Sequence, residues 1–344
     1  ERSRTRPKGR TVNAVVLRET GTPDVLRLGE APDPEPGPGE VVVALRAAAL
    51  NRRDVFLRKG IAPSPLPVIL GSDGAGVVRS LGPGAAGAAP GDEVVILPSL
   101  GWGGGEDAPA PGFRILGGPD DGTYAELIRI PAENVYPKPA GLSWEEAAAL
   151  PLAGLTAWRA LVSRARLRPG ETVLVIGIGG GVATVALHIA RHAGCRVLVT
   201  SSSDEKIARA RELGADGGVN YTAGDWVAGV RELSGGRGVD VVVDSVGSTW
   251  NDSVGCLRPG GRLVVFGGTG GGKVEMTVRP VTLGQVAILG TTMGSPRDFA
   301  GLLRAVEVQG WSPVIDSVRP LAEAAAAHAR EEAGEHFGKL VLTM

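Results

Sequence analysis

Residues 173–190 read VLVIGIGGGVATVALHIA, and their types and spacing suit the holding of a phosphate. An apolar, β-branched run stops at Gly177, glycine recurs at 179, 180 and 181, and an amphipathic run follows. Backbone N–H groups at the start of a helix bind anionic oxygens without help from any side chain, and the helix dipole favours the charge. Gly177 and Gly179 fit a G-x-G-x-x-G fingerprint, but its last position is Val182. The register Gly177-x-x-Gly180-x-x-Ala183 keeps a glycine at the turn and a small residue where helix meets strand. Gly179, Gly180, Gly181 and Val182 are then the expected phosphate donors. Because these glycines follow a strand, open a helix and begin a series of strand–helix units, the expected ligand is a dinucleotide.

The next strand, RVLVTS, ends at Ser201. A site for NAD places an acid there to accept from the ribose hydroxyls. Ser201 and Ser202 carry no charge to repel a 2′-phosphate, Lys206 adds positive charge nearby, and Tyr221, ending the third strand, offers a phenolic hydrogen bond. NADPH is therefore expected in preference to NADH. The same serines, with Asp204 and Glu205 behind them, also suit a helix N-terminus, and the two roles are compatible.

The elements that must position these residues change character near residue 138. Before it, short β-branched stretches such as TVNAVVLRE and EVVVALRAAAL alternate with Pro- and Gly-rich turns, as in a β-rich module. From 139 onward strands and helices alternate, and the strands are continuously apolar, which predicts a parallel sheet covered by helices on both faces. Strands of such a sheet end in VDVVVDSVG and GRLVVFGG, so Ser245 and Val246, and Phe266, Gly267 and Gly268, are expected beside the cofactor. The fold class is α/β: a doubly wound parallel sheet over 139–295, a β-rich domain over 11–138 and 296–344, and a disordered basic tail over 1–10.

Composition excludes other classes. Lys plus Arg number 36 against 37 Asp plus Glu, for a net charge of −1, so no patch for nucleic acid is expected. No apolar run is long enough to span a membrane and no signal peptide opens the chain, so a cytoplasmic protein is expected. Cys195 and Cys256 are too few for a disulfide framework or a Cys-rich metal site and read as packing residues. His188 and His192 lie four apart on a helix with no third ligand, so no metal is expected there. His336, next to FGKLVL, is expected at the surface, with an approach to the cofactor as the alternative.

The order of the two modules and the segments GSDGAGVV (71–78), GTYAEL (122–127), PLAGLTAWRAL (151–161) and FGKLVL (337–342) resemble the medium-chain dehydrogenase/reductase superfamily. The resemblance implies a GroES-like β-rich catalytic domain and a Rossmann domain. In the zinc alcohol dehydrogenases of that superfamily Cys, His and Cys hold a catalytic metal. Matching the segments puts Asn51, Ser72 and Leu152 at those positions, and the loop that elsewhere carries four structural-zinc cysteines has none. The chain is thus closer to the zinc-free quinone oxidoreductase and enoyl reductase branch.

That branch implies hydride transfer from NADPH to an activated C=C or a quinone, with reductive cyclisation a sub-case. The substrate is already electrophilic, so positioning and a hydrogen bond to the developing enolate suffice. Asn51, Arg53 and solvent are the candidate donors, with Asp54 tethering the turn and the family's tyrosine donor not evident, so the acid is unassigned. The resemblance places Thr156 at the nicotinamide end, Trp102 and Thr292 on the substrate cleft, and a second copy of the chain on the sheet edge formed by QVAILGTTMG. A non-catalytic NADPH-binding protein and a zinc-type alcohol dehydrogenase remain as alternatives.

Overall fold

The computed structural model describes residues 10–344; the basic tail expected over residues 1–10 lies, except for Arg10, outside the described residues. The chain forms two compact units. One comprises the residues up to Pro151 with Ser317–Glu335 and Leu340–Met344; the other is Leu152–Asp316 with His336–Lys339.

The first unit is built on a seven-stranded sheet and a three-stranded one. Its long central strand, Glu40–Ala49, pairs antiparallel with Asp73–Leu81 on one edge and with Lys339–Thr343 on the other, through Val341, Leu342 and Thr343. Val41, Val43, Leu45, Val78, Val94 and Ile96 point to one core, each stabilising the unit by about 1.5–3 kcal/mol relative to exposure. The helix Ala324–Ala333, an alanine-rich run with high intrinsic propensity, buries Ala324, Ala327 and His328 against a second core that includes Tyr124 and Leu50.

The second unit carries a six-stranded sheet. Its strands in sequence are Thr172–Val175, Arg196–Ser201, Gly217–Asn220, Val239–Asp244, Leu257–Val265 and Ala287–Gly290. Every pairing is parallel, and the spatial order is third, second, first, fourth, fifth, sixth, the doubly wound arrangement. Val173, Leu174, Val175, Val241 and Val242 are under 2% exposed, the result of helices on both faces.

The helix Pro296–Gln309, grouped on sequence with the β-rich domain, belongs to this second unit. The reason is packing: a Cβ on Gly294 would fall 2.4 Å from Leu155, and one on Gly301 would crowd the Trp158 ring at 3.0 Å. Among the described residues no helix is long and apolar enough to cross a membrane.

Candidate functional site

The strand Thr172–Val175 is buried along its length, and the chain must turn sharply at its end to start the helix Gly181–His192. Gly177 (φ +71°) and Gly179 (φ +129°) adopt backbone angles that only glycine takes at little cost. The turn is pinned from the second strand: the Gly177 N–H donates to Thr200 Oγ1 (3.1 Å) and the Ile178 N–H to the Thr200 carbonyl (2.7 Å). Gly180 caps the helix. The first-turn N–H groups, on Gly181, Val182 and Ala183, have no acceptor within the helix.

The space above this turn fits a pyrophosphate. A Cβ on Gly177 or Gly180 would meet nothing within 4 Å. At Gly179 it would fall 3.0 Å from Lys206 Cδ and 3.3 Å from Lys206 Nζ, and at Gly181 it would fall 2.5 Å from Lys339 Cδ. Open backbone, a helix N-terminus and two lysine side chains therefore converge. Lys339, buried at 3% exposure, is the residue that sequence reasoning missed: it sits in FGKLVL, far from the glycines in sequence, and no local pattern joins the two. The Gly338 N–H makes the junction by donating to the Gly179 carbonyl (2.8 Å). His336, expected at the surface, is instead only 8% exposed, because the same segment folds back onto the glycine turn, where its carbonyl lies 3.5 Å from a Cβ built on Gly179.

The remaining residues expected beside a cofactor lie at the carboxyl ends of the parallel strands. Ser203 caps the helix Asp204–Glu212, its Oγ accepting from the Lys206 N–H (3.3 Å), and buried Ser201 supports the cap by accepting from the Ser203 N–H (3.2 Å). Ser202 and Tyr221 are exposed beside them, and the Asn220 amide holds the Asp204 carboxylate (3.0 Å). Ser245 and Val246 follow Asp244, a second residue not singled out on sequence. Its buried carboxylate accepts from the Val246 N–H (2.7 Å) and from the Thr249 and Ser253 hydroxyls (2.6 and 2.8 Å), which shapes the turn. The Phe266 N–H donates to the Asp244 carbonyl (3.1 Å), bringing Phe266, Gly267 and Gly268 alongside.

Thr156, 5% exposed, sits on the helix Pro151–Trp158. Ala153 of that helix abuts Gly181 and Leu155 abuts Gly294, so the helix runs from the glycine turn to the turn that carries exposed Thr292.

The polar residues of the first unit form a separate cluster. Asn51 caps the helix Arg52–Arg58 in a capping box with Asp54, and its side-chain amide donates to Asp73 Oδ2 (2.9 Å). Arg53 donates to Ser72 Oγ (3.0 Å) and to the carbonyls of Leu116 (2.9 Å) and Gly118 (3.2 Å). Burial lowers the pKa of its guanidinium, with Asp54 and Asp73 opposing. Ser72 donates to the Leu116 carbonyl (2.7 Å). Tyr124 donates to Asp54 Oδ2 (3.1 Å) and meets His328 Nε2 (3.3 Å). Burial, with Asp54 next to it, holds this phenol well above its ordinary range. Trp102 is 2% exposed, donates to the Gly105 carbonyl (2.8 Å) and packs edge-on to Phe113; it is committed to its own loop.

The matched metal positions offer an amide, a hydroxyl and an aliphatic chain, and the first two are already hydrogen-bonded within the protein. Such a set does not fit zinc, which takes thiolate, imidazole or carboxylate ligands. Among the described residues no three of His, Cys, Asp or Glu come together in a metal-holding group.

Comparison with known proteins gives the same outline. Residues 37–140 match the alcohol dehydrogenase GroES-like domain and residues 181–307 the zinc-binding dehydrogenase family. A zinc-type alcohol dehydrogenase-like protein, YogA, of Leptosphaeria maculans is 37% identical over 92% of this chain and 94% of its own. A quinone oxidoreductase of Pseudomonas aeruginosa is 34% identical over 94% of this chain and 96% of its own. A crystal structure of an NAD-dependent alcohol dehydrogenase superposes with a TM-score of 0.92 at 45% identity, over 96% of this chain and 99% of that one. With identity of this order along nearly its whole length, the chain belongs to the medium-chain dehydrogenase/reductase superfamily.

Proposed function

We propose that this protein is an NADPH-dependent reductase that works without zinc on an α,β-unsaturated carbonyl compound or a quinone. The observation that carries this reading is the state of the three matched metal positions: Asn51 tied to Asp73, Ser72 tied to Arg53 and the Leu116 carbonyl, and Leu152 with no ligand atom. Without a Lewis acid to polarise an isolated carbonyl, an acceptor already electrophilic by conjugation suits the site best. The similarity to a quinone oxidoreductase supports the same class.

The bound nicotinamide supplies a hydride equivalent at its C4 position. The glycine turn and the first-turn N–H groups of Gly181–His192 hold the pyrophosphate, with Lys206 and Lys339 balancing its charge. Ser201, Ser202 and Tyr221 take the adenosine ribose and its 2′-phosphate; Ser245, Val246, Phe266, Gly267 and Gly268 border the rest. Thr156 orients the nicotinamide end.

Hydride arriving at the β-carbon moves an electron pair to the carbonyl oxygen, and Asn51 and Arg53 are the donors for the resulting enolate. Arg53 has three acceptors of its own in the protein, so its part is to hold fixed positive charge near that oxygen. Tyr124 is fully buried and its hydroxyl is donated to Asp54, so the proton that completes reduction comes from solvent.

We further propose that two copies pair along the sheet-edge strand Ala287–Gly290, near which Val278, Leu283 and Ile288 are 69%, 70% and 37% exposed. Two buried free cysteines fit a reducing compartment such as the cytoplasm.

The test is NADPH and NADH oxidation by the metal-stripped protein across a panel of enones and quinones, with bound metal and oligomer mass measured in parallel. Turnover of a conjugated acceptor with NADPH, unaffected by chelator, is expected. Stoichiometric zinc whose removal abolishes activity overturns the zinc-free reading. Tight NADPH binding with no turnover anywhere on the panel makes the protein a non-catalytic NADPH binder.

A further inference from the structure

The helix Pro151–Trp158 continues without a break into a π-helical turn, Arg159–Arg164, in which the Ala165 N–H reaches back five residues to the Ala160 carbonyl (2.9 Å). π-Turns widen a helix at some cost and are concentrated at functional sites. This one aims two arginines at the end of the sixth strand and the segment that follows it. Arg164 donates to the Gly290 carbonyl (2.9 Å). Arg159 forms an ion pair with Asp298 at 2.7 Å, the two side chains being 3% and 4% exposed.

Asp298 is itself fully engaged. Its Oδ2 accepts from the Ser295 N–H (3.0 Å) and hydroxyl (3.2 Å) as well as from Arg159, and its Oδ1 accepts from the Ser163 hydroxyl. The segment it anchors is strained: Met293 sits at φ +44°, a conformation that costs a non-glycine residue about 1–3 kcal/mol. Gly294 is pressed so closely on Leu155 that a Cβ would come within 2.4 Å of it.

A buried ion pair adds little net stability compared with well-packed apolar residues of the same size, so what it contributes is a specified geometry. The geometry in question is that of Thr156 relative to the turn 291–294. Ala153 and Leu155 of the helix that carries Thr156 lie against Gly181 and Gly294 respectively, so one helix borders both the glycine turn and the turn 291–294.

We infer that Arg159 and Asp298 are positioning residues for the nicotinamide end of the cofactor site, locking the helix that carries Thr156 against the strained turn at Met293. This rests on the reading of the protein as a nicotinamide-cofactor reductase. The pair touches neither substrate nor reacting atoms; it acts through Thr156 and the 291–294 backbone.

The experiment compares wild type with Arg159→Lys, which keeps the charge but not the planar fork, and with the apolar double variant Arg159→Met/Asp298→Leu. Three quantities are read: Tm, the dissociation constant for NADPH, and the fluorescence lifetime and anisotropy of the bound nicotinamide, which need no turnover. The expected result is a dissociation constant within about threefold of wild type, since the phosphate end is untouched, together with a more mobile nicotinamide. With a reducible acceptor, kcat falls about tenfold or more while KM for NADPH changes little, as misplacement of a reacting group requires.

Unchanged nicotinamide anisotropy and kcat in a folded variant overturn the proposal and leave the pair a structural one. If the double variant does not fold, the Arg159→Lys variant decides by the same readings. Wild type that binds NADPH without reducing anything, yet differs from the variants in anisotropy, defeats the reductase reading but not the positioning role. Wild type that binds neither NADPH nor NADH defeats both.

Discussion

The side chain of Lys339 lies across Gly181, the first residue of the helix Gly181–His192, so closely that a Cβ on the glycine would sit 2.5 Å from Lys339 Cδ. Lys206 lies in the same way over Gly179. The two lysines are separable by cofactor. Lys339→Met keeps the buried stem and removes the charge next to the pyrophosphate, which NADPH and NADH share. Both cofactors should weaken by about ten- to a hundredfold, because a charge-assisted hydrogen bond contributes about 1.5–3 kcal/mol. Lys206→Ala should weaken NADPH more than NADH if its amine serves the 2′-phosphate. Equal weakening in fluorescence titrations would assign Lys206 to the pyrophosphate and withdraw the NADPH preference.

Asp244 organises the turn after the fourth strand through three donors, and Ser253 and Asp244 are both essentially sealed from solvent. Asp244→Ala strands those donors in the interior, which should lower stability by about 2–4 kcal/mol in urea unfolding. Cofactor affinity should fall with it, since Ser245 and Val246 lose their support. An Asp244→Ala protein with wild-type stability would show that Thr249 and Ser253 find other acceptors.

Tyr124 joins two buried groups, Asp54 Oδ2 at 3.1 Å and His328 Nε2 at 3.3 Å. Through Asp54, which accepts from the Asn51 N–H (2.9 Å), it supports the turn that presents Asn51. Tyr124→Phe removes a hydroxyl and adds no volume, so the expected loss is about 1–3 kcal/mol from the buried carboxylate left short of a donor. If Asn51 is the enolate donor, kcat should drop as well, with KM for NADPH unchanged. A Tyr124→Phe enzyme with full kcat would detach this network from catalysis.

His328 has its pKa lowered by burial from 6.5 to about 3, with Arg58 adding to the effect and Glu332 opposing it. Between those values the unfolded chain binds a proton that the folded chain refuses. Stability is therefore complete above pH 6.5, declines on acidification and has lost this contribution near pH 3. The slope is about 1.4 kcal/mol per pH unit for one such histidine. His188, stacked on Trp311 and lowered to about 4 chiefly by burial, adds a second proton over a shorter window. His328→Gln should reduce the difference in unfolding free energy between pH 5 and pH 7 by about one proton's worth. An unaltered difference would mean that His328 titrates normally in the folded protein.

Much of the second unit was legible in the sequence because its determinants are local. A parallel sheet sealed on both faces requires uninterrupted β-branched strands, and VLVI, RVLVT and VDVVVD announce themselves. The turn between strand and helix demands positive φ at Gly177 and Gly179, and glycine at those positions is itself the sign. The serines after the second strand could be read as a helix cap and as room for a phosphate from their types alone, and the cap is now visible in the bonds to Ser201 and Ser203.

What only the tertiary structure decided are relations between residues distant in the chain, for which sequence carries no register. Lys339 and His336 come to the glycine turn because the Gly338 N–H bonds to Gly179, a junction across more than 150 residues that no periodicity encodes. The helix Pro296–Gln309 joined the second unit rather than the β-rich one because of how closely glycines 294 and 301 admit Leu155 and Trp158, a matter of shape. Trp102 looked available for a substrate as a tryptophan in a glycine-rich loop, yet burying its large apolar surface against Phe113 is worth more than exposing it. Backbone conformation follows from neighbouring residues, and is written locally; which side chains end up facing one another depends on the packing of whole elements, which exists only once the chain has folded.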